Sequence, residues 1–333
     1  MDAVKTENIP HTAKRKTGES FNDYKYRLGD TFRGHGLSWQ DVCNLLNAEG
    51  NLDYGESKWR KELQAVERYK VHVERSEGEV TKILSLSDLH IPFQTDLDFL
   101  YNYTKKIDIL VFNGDVCDCQ SISKFQKKYR YDFVDELILS RQIMMDIIDL
   151  IQPKKVVINY GNHEARLVSY LSDRVHPDVL QLMPQTAMDL ICDFGFTKHN
   201  HADKSHTFYT PIKDNYDDIE IEYTKNWYCK IGGTVLAHPK ACSSSILSTA
   251  SKALMYFYKQ GLTDIDAVVL AHTHKLGMYR DGAAWIVEQG CLCKDAEYTT
   301  DGNLTTPHSR GCAYISQDAE GKYVFDKSHL VWL

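Results

Sequence analysis

The chain has 333 residues, a formal net charge of −7 at pH 7 and 43% hydrophobic residues. This length accommodates one large domain plus a small one, and the acidic balance argues against a general nucleic-acid coat protein. The sequence has no run of about 18 apolar residues and no apolar signal-peptide core. We therefore expect a cytoplasmic protein that does not contact membranes.

The nine cysteines are scattered and odd in number, which favours reduced, buried thiols over a disulfide framework. Four of them form the pairs Cys117-x-Cys119 and Cys291-x-Cys293. Neither pair has the C-x₂-C spacing of a zinc ribbon. We therefore interpret both pairs as packing residues.

The N-terminal part of the chain is predicted to be a small all-helical domain. Residues 1–19 are polar without a hydrophobic period, which is typical of a flexible arm. Residues 20–75 then show three helical patterns, with Ser38 and Asp41 at the positions of a capping box that opens the second helix. The third helix starts near Ser57, and the layout is similar to a helix-turn-helix unit.

The predicted third helix is rich in basic side chains. In a helix-turn-helix unit the last helix enters the DNA major groove, so these side chains are candidate phosphate contacts. Acidic residues are interleaved with them, and the alternative is a packing or oligomerisation module whose charges are solvated. The sequence therefore indicates DNA as a partner and leaves a homo-oligomer open. The basic residues are Lys58, Arg60, Lys61 and Arg68.

From residue 80 onward, five strand-like apolar runs each end in polar residues. Residues 156–158, for example, are followed by the sequence Gly-Asn-His-Glu at residues 161–164. Open α/β sheets bind ligands at the carboxyl ends of their strands, so we expect the five polar ends to meet at one site. The runs cover residues 83–87, 109–112, 156–158, 234–237 and 268–271.

The segments between these strands are predicted to be helices or insertions. Helical patterns cover residues 134–151 and 164–182. Residues 196–228 do not continue the alternation of strand and helix patterns, and they predict an inserted hairpin or a lid over the site. Three histidines in this insertion are an alternative metal site, but a polar loop is favoured because no carboxylate or cysteine accompanies them at a ligand spacing. They are His199, His201 and His206.

The polar motifs, taken in order, resemble a known superfamily. Asp-x-His, Gly-Asp-x-x-Asp, Gly-Asn-His-Glu, a single His and His-x-His follow one another as they do in calcineurin-like metallophosphoesterases. The resemblance covers residues 82–292 and implies an α/β fold, a β-sandwich flanked by helices in four α/β/β/α layers. It also implies a catalytic domain over residues 80–333. The details around Gly-Asp and Gly-Asn-His-Glu are also similar to versions carried by bacteriophages.

The resemblance implies a dinuclear metal centre at one edge of the sandwich. Mixed imidazole and carboxylate ligands suit divalent first-row metals, and we expect two ions, Mn²⁺ first and Zn²⁺, Fe²⁺ or Mg²⁺ as alternatives. Asp115 would bridge the two ions. The first ion would be held by Asp88, His90 and His274, and the second by Asn162, His238 and His272.

The resemblance also implies catalytic residues beside the metals. His163 would donate a proton to the leaving oxygen, and Asp118 would orient its imidazole. In phosphoprotein phosphatases an arginine follows that aspartate, whereas Cys119 and Gln120 follow it here, which disfavours a protein phosphatase. Arg166 is the candidate substitute, because a guanidinium can grip phosphate with two hydrogen bonds; a helix-surface ion pair is its alternative role.

The implied activity is dinuclear metal-dependent phosphoester hydrolysis, in which a hydroxide between the metals attacks phosphorus in line. The favoured interpretation is that the protein is a phosphodiesterase or nuclease acting on DNA, because of the helix-turn-helix-like domain and the phage-like motifs. A small-molecule phosphoesterase acting on nucleotides or cyclic nucleotides is the alternative. A structural or partner-binding protein with a vestigial site is a third interpretation, which the complete ligand set opposes.

Overall fold

The computed structural model describes residues 10, 13–64, 80–124, 130–200, 202–243, 245, 247–295 and 308–333. The chain divides into two compact units, Met1–Gly78 and Glu79–Leu333, which we call the helical unit and the sheet unit. Among the described helices, none is long and apolar enough to cross a membrane. All nine cysteines are free thiols, and only Cys242 is exposed.

The helical unit packs three helices around one apolar core. Helix α1 is Phe21–Thr31, α2 is Trp39–Gly50 and α3 covers residues 56–64. The predicted capping box opens α2, with Ser38 Oγ accepting from the Asp41 backbone N–H at 3.2 Å and Asp41 Oδ2 accepting from the Ser38 N–H at 2.8 Å. The fully buried or nearly buried side chains of this core include Tyr24, Leu28, Val42, Leu46 and Trp59.

Part of the predicted arm is described, residue 10 and residues 13–19, and residues of this part contact α1. Ala13 is fully buried in the core of the helical unit. Arg27 on α1 donates to the Lys14 carbonyl oxygen at 2.9 Å and to Glu19 Oε1 at 2.7 Å. This polar segment is thus held on the helical unit by one buried apolar residue, Ala13, and by the ion pair of Glu19 with Arg27. Residues 1–9, 11 and 12 lie outside the described residues.

The basic side chains of α3 are partly engaged within the helical unit. Lys58 Nζ lies over an aromatic ring, 3.1 Å from its centroid, and Arg60 Nη1 lies 3.4 Å from Glu56 Oε1. Lys61 is exposed, and Arg68 lies outside the described residues. Exposed ion pairs such as that of Arg60 and Glu56 contribute little to stability.

The sheet unit alternates strands and helices along the chain. Its helices are α4 Phe133–Ile151, α5 Arg166–Ser172, α6 Pro177–Leu180, α7 Ala187–Asp189 and α8 Ser248–Lys259. Its strands are β1 Thr81–Leu86, β2 Ile109–Asn113, β3 Lys155–Asn159, β4 Phe196–His199, β5 His206–Tyr209, β6 Glu220–Tyr223, β7 Tyr228–Ile231, β8 Thr234–Ala237, β9 Ala267–Leu270, β10 Leu276–Asp281, β11 Ala284–Gln289, β12 Gly311–Gln317 and β13 His329–Trp332.

These strands form two large sheets and one hairpin. The larger sheet has the order β13-β12-β1-β2-β3-β6, with β1, β2, β3 and β6 parallel. The smaller sheet has the order β10-β11-β9-β8-β7, with β11, β9 and β8 parallel. Strands β4 and β5 pair only with each other, antiparallel. The parallel strands bring their carboxyl ends to one edge of each sheet.

Alternate residues of the central strands face two different cores, because successive side chains of a strand point to opposite faces. Val111 and Leu236 lie in the core between the two sheets. On the outer face of the larger sheet, Phe112 packs in the same cluster as Met144 of α4. On the outer face of the smaller sheet, Leu270 packs in the cluster that includes α8. This arrangement confirms the predicted four-layer α/β/β/α sandwich.

The helix predicted over residues 164–182 is wrong in one respect, because the chain forms two short helices instead of one. Helix α5 ends at Ser172, and Pro177 begins α6. Proline has no N–H to continue a helix but is well suited to its first position. The apolar spacing continues across the break, and it outweighed the proline in the prediction.

Within residues 196–228, the predicted hairpin is formed by β4 and β5, but residues 220–223 instead extend the larger sheet. Strand β6 pairs in parallel with β3. Its alternating pattern has a simple cause: Ile221 packs on the core, whereas Glu220 and Glu222 lie 2.8 and 2.6 Å from Lys155 Nζ. A lid role for the β4–β5 hairpin stays a prediction.

Candidate metal centre

The predicted metal ligands lie just beyond the carboxyl ends of β1, β2, β3, β8 and β9, so both sheets contribute. Most of them have a left-handed backbone, with φ between 47° and 72°. Residues with a side chain rarely adopt such angles, and the strain is typical of ligand clamps that the surrounding fold holds in place. The ligand residues with positive φ are Asp88, His90, Asp115, His272 and His274.

Asp88, His90 and His274 form the first group of donors. Their donor atoms all lie within 4.8 Å of one another. His274 Nε2 is 3.0 Å from Asp88 Oδ1 and 3.3 Å from His90 Nε2. The structure thus brings together the three residues that the resemblance assigns to the first metal.

Asp115, His238 and His272 form a second group, also with donor atoms within 4.8 Å of one another. His238 Nδ1 lies 2.8 Å from the Asn113 carbonyl oxygen, which fixes the proton on Nδ1 and directs Nε2 to the centre. His238 Nε2 in turn lies 3.3 Å from Asn162 Oδ1. All three residues predicted for the second metal are therefore neighbours here.

Asp115 and Asp88 connect the two groups. Asp115 Oδ2 is 3.1 Å from His238 Nε2 and 3.9 Å from His90 Nε2, so it faces both. Asp88 Oδ2 accepts from the His272 backbone N–H at 3.1 Å. The seven predicted ligands form one cluster, and their assignment to individual ions stays a prediction.

The charges in the cluster show why cations fit it. Burial raises the pKa of Asp115, but the imidazoles of His163 and His238 outweigh burial and hold the pKa well below its ordinary value. Burial lowers the pKa of His238, and Asp115 and Asp88 raise it to about 9. His274 shows the same balance, with a pKa raised to about 9 against burial, chiefly by Asp88. Buried carboxylates here demand positive charge, which protons or divalent ions can supply.

Two glycines make room for this cluster. Gly114 has φ +82°, and a Cβ there would lie 2.6 Å from His238 Nδ1. A Cβ at Gly161 would lie 2.1 Å from Asp115 Oδ1. Such contacts are far shorter than van der Waals distances, so the glycines of both motifs are needed for close approach of backbone to ligand.

Glu164 holds the two loops that carry Asp115 and Asn162. Its fully buried carboxylate accepts backbone N–H groups of Asp115 at 3.0 Å, Cys117 at 2.9 Å and Gly161 at 2.8 Å. Burial and the charge of Asp115 raise the pKa of Glu164 to about 7. Glu164 closes the Gly-Asn-His-Glu motif, but its role is not visible in the sequence, because its partners are backbone N–H groups of two separate loops.

His163 and Asp118 lie beside the ligands. His163 Nδ1 is 2.9 Å from Asp118 Oδ1 and 2.9 Å from the Asp118 carbonyl oxygen. The Nδ1 proton is thus held, and Nε2 lies 3.8 Å from Asp115 Oδ2. Asp118 Oδ1 is also 3.0 Å from His90 Nδ1. One carboxylate therefore orients two imidazoles, one more than the sequence predicted.

Arg166 points into the same site. Its Nη1 donates to the Asp118 carbonyl oxygen at 2.7 Å, and its Nη2 lies 2.8 Å from His163 Nε2. These contacts favour a role in the site over the alternative of a helix-surface ion pair. Burial lowers the pKa of His163, and an arginine donor at Nε2 also requires the neutral ring. His163 therefore has to gain a proton at Nε2 before it can act as an acid.

A layer of buried polar side chains lies between the sheets next to the ligands, and sequence analysis missed it. Ser85 Oγ donates to Gln289 Oε1 at 2.8 Å, and Gln289 Nε2 donates to Ser87 Oγ at 2.7 Å. Asn159 Nδ2 donates to Asn113 Oδ1 at 2.9 Å. The available signal was a polar residue two positions after an inward-facing apolar one, as in Val111 and Asn113 or Val157 and Asn159.

The alternative histidine site in the β4–β5 hairpin is not assembled as a metal centre. His199 Nδ1 lies 2.8 Å from His206 Nδ1, and both rings are exposed. Neither residue belongs to a group of three or more metal-capable side chains among the described residues. His201 lies outside them.

The family of the protein follows from its sequence match together with this site. Residues 81–276, more than half of the chain, match the family described as calcineurin-like phosphoesterase, and this range contains every predicted ligand. The chain belongs to this family. Residues 9–77 match the YonJ N-terminal domain, and YonJ is a phage- or prophage-type protein, which confirms the phage-type likeness of this phosphoesterase.

Several solved structures are similar to part of the chain at low sequence identity. Vacuolar protein sorting 29 from Cryptosporidium parvum is 15% identical, with a TM-score of 0.36, over 76% of this chain and 98% of that one. Its zinc-complexed counterpart from Entamoeba histolytica is 13% identical, with a TM-score of 0.33, over 76% and 99%. An archaeal phosphodiesterase is 15% identical, with a TM-score of 0.31, over 76% and 100%. No curated protein matches the chain.

Glu136 on α4 is a buried carboxylate whose removal has a testable effect on pH stability. It accepts the Gln120 backbone N–H at 2.9 Å and so holds the segment after Asp118. Burial raises its pKa from 4.5 to about 7, with Asp118 adding to the shift. Because the folded pKa is the higher one, ionisation favours unfolding, and this group's contribution to stability falls as pH rises from about 4.5 to about 7.

We expect Glu136→Gln to remove that fall, since an amide cannot ionise and its oxygen can still accept from Gln120. Urea denaturation midpoints measured across this pH window should therefore separate, with the variant gaining on the wild type as pH rises. Glu320→Gln, at an exposed carboxylate, is the control and should follow the wild type. Parallel pH curves for Glu136→Gln and the wild type would contradict the assignment.

Proposed function

We propose that this phosphoesterase hydrolyses phosphoesters with two divalent metal ions, Mn²⁺ in the first instance, held by the seven-residue cluster. The observation that carries the proposal is the convergence of carboxylate, imidazole and amide donors from both sheets at one edge. Two ions bound there would supply charge neutralisation for a phosphate and lower the pKa of bound water. The chain's own residues would then bind the phosphate and protonate the leaving oxygen.

His163 and Arg166 act together in this proposal. In the structure the Arg166 Nη2 donor lies 2.8 Å from His163 Nε2, while Nη1 is anchored on the Asp118 carbonyl. A bound phosphate would draw Nη2 to its own oxygens, because a charge-assisted hydrogen bond to phosphate is stronger than one to a neutral ring. His163 Nε2 would then be available to carry a proton to the leaving oxygen, with Asp118 holding the opposite nitrogen.

Metal dependence is the first test of the proposal. The purified, metal-depleted protein should recover hydrolysis of bis-p-nitrophenyl phosphate on addition of Mn²⁺, with Zn²⁺, Fe²⁺ and Mg²⁺ compared. Asp115→Asn should lower both bound metal and turnover, because the residue faces both donor groups. Asp146→Asn, at an exposed position on α4, should behave as the wild type. Full activity of the depleted protein, or of Asp115→Asn, would exclude a metal-dependent reaction at this site.

The proton donor gives a second test. We expect His163→Ala to retain metal and to lower turnover about 10²–10⁴-fold on substrates with an alkoxide leaving group. The loss should be smaller for p-nitrophenolate, which leaves without a proton. Arg166→Ala is the comparison, because loss of a phosphate contact should affect both kinds of substrate alike. If His163→Ala lowers turnover equally on both kinds of substrate, His163 has a role other than proton donation.

For the substrate we propose phosphodiester bonds of DNA. Support comes from the basic residues of α3, of which Lys61 is exposed and Lys58 and Arg60 have only weak local partners. Contacts to the phosphate backbone position a nucleic acid without reading its sequence. Such contacts would add binding energy to long substrates and none to a small phosphodiester.

Salt dependence tests this proposal. Changing Lys58, Arg60 and Lys61 to alanine should weaken binding and cleavage of duplex DNA and leave hydrolysis of bis-p-nitrophenyl phosphate unchanged. Each lost phosphate contact should flatten the slope of log affinity against log salt by roughly 0.9. Lys322→Ala, in the sheet unit, is the control. If the slope is unchanged, the helical unit is a packing or oligomerisation module, and nucleotides or cyclic nucleotides become the substrates to test.

A further inference from the structure

A second group of metal-capable side chains lies on the opposite side of His274 from the first donor group. It consists of Cys291, Cys293, His308 and the Nδ1 atom of His274, which we call the Cys–His quartet. The four donor atoms all lie within 4.8 Å of one another. His274 Nδ1 is 3.2 Å from His308 Nδ1 and 4.0 Å from Cys293 Sγ.

These distances are close to those of a tetrahedral zinc site. With Zn–S near 2.3 Å and Zn–N near 2.0–2.1 Å, tetrahedral ligands lie about 3.3 Å apart for two nitrogens and about 3.6 Å for nitrogen and sulfur. The two pair distances given above are within a few tenths of an ångström of these values, and the other donor pairs lie within 4.8 Å. Two thiolates and two imidazoles are also a ligand combination of structural zinc sites.

The two cysteines lie in one short segment that is paired on both sides of a bend. Cys291 forms an isolated bridge with Arg310, and Cys293 forms one with Gln94. Leu292, at the bend, is fully buried in the core on the outer face of the larger sheet, while both sulfurs lie in the quartet. The C-x-C spacing, which the sequence analysis interpreted as packing, is thus suited to present two ligands from one short segment.

Backbone hydrogen bonds hold the three contributing segments together. The Ser309 N–H donates to the His274 carbonyl oxygen at 2.8 Å, and the Cys291 N–H donates to the Ser309 carbonyl oxygen at 3.1 Å. The Gly311 N–H returns to the Cys291 carbonyl oxygen at 2.9 Å. The donors are therefore positioned by the backbone rather than by chance proximity of mobile side chains, as a preorganised site requires.

We propose that the Cys–His quartet binds a third metal ion, zinc, distinct from the two ions of the catalytic cluster. Thiolate ligands select zinc over manganese and magnesium, whereas the carboxylate-rich cluster beside it suits the harder ions. Two thiolates would balance the charge of one Zn²⁺. The quartet lies outside the ligands that resemblance to the family supplies, apart from the shared His274.

The shared imidazole links the two centres. His274 Nε2 lies 3.0 Å from Asp88 Oδ1, in the first donor group, and Nδ1 faces the quartet. The second nitrogen of a ligating histidine usually donates to a carboxylate, carbonyl or water and thereby fixes the ring. With an ion on each nitrogen, His274 would release its remaining ring proton and bridge the two ions as an imidazolate, with zinc at Nδ1 fixing the ring. Loss of zinc should therefore weaken the affinity of the first catalytic metal without removing the other ligands.

The test uses the full-length protein loaded with zinc alone and then with zinc and manganese. X-ray absorption at the zinc edge should show sulfur neighbours at about 2.3 Å in the wild type. Cys291→Ala and Cys293→Ala should each remove this shell of sulfur neighbours around zinc and release one zinc ion per chain. Cys192→Ala, at a buried cysteine of the main core, is the matched control and should keep both the shell and the metal content.

Cobalt substitution supplies an independent readout on the unmodified protein. Thiolate-to-cobalt charge-transfer absorption is expected in the wild type and should persist in Asp115→Asn, which separates the quartet from the catalytic cluster. A zinc edge with only nitrogen and oxygen neighbours, together with a cobalt spectrum that lacks thiolate bands, would overturn the proposal even if the cysteine variants fail to fold. If Asp115→Asn loses hydrolysis but keeps the thiolate-to-cobalt bands, the proposal of a separate metal site in the Cys–His quartet is supported.

Discussion

The carboxylate of Glu164 is the contact on which the geometry of the site depends most. It accepts three backbone N–H groups from the two loops that carry Asp115 and Asn162. A buried N–H without a partner costs about 1–3 kcal/mol, so each loop would be unstable alone at this depth. By satisfying both loops with one side chain, the fold fixes the distance between the carboxylate of Asp115 and the amide of Asn162, which follows the next strand.

The other predicted ligands depend on two further features of the fold, which are support for a strained backbone and compensation of buried charge. Left-handed backbone angles at residues such as His272 and His274 are unfavourable by themselves, and the two sheets on either side hold them in place. Buried carboxylates such as Asp88 are ionised only because positive charge is close. A bound cation would offset the cost of burying these carboxylates, but it would not relieve the backbone strain. The fold itself therefore has to hold the backbone in the strained conformation.

The sequence predicted that these polar residues meet at one edge, because each follows a change from apolar to polar at a strand end, which is a local signal. Their roles as metal ligands stay predictions. The sequence also predicted the four-layer fold through the order of the motifs. It could not predict contacts between distant segments. Asp118 serves both His90 and His163, Arg166 faces His163, and His308 joins two cysteines, and none of these is visible from local spacing. The break at Pro177 was visible in the sequence, but the apolar period outweighed it.

The separation of the ligands along the chain has a thermodynamic consequence. Asp88 and His274 are 186 residues apart and follow strands of different sheets, yet their donor atoms are 3.0 Å apart. An ion bound between them would close a loop that contains most of the sheet unit. A ligand that binds only the folded form stabilises it by about 2.7 kcal/mol at a hundredfold excess over its Kd. Metal supply would therefore set the lifetime of the folded protein against proteolysis as well as its activity.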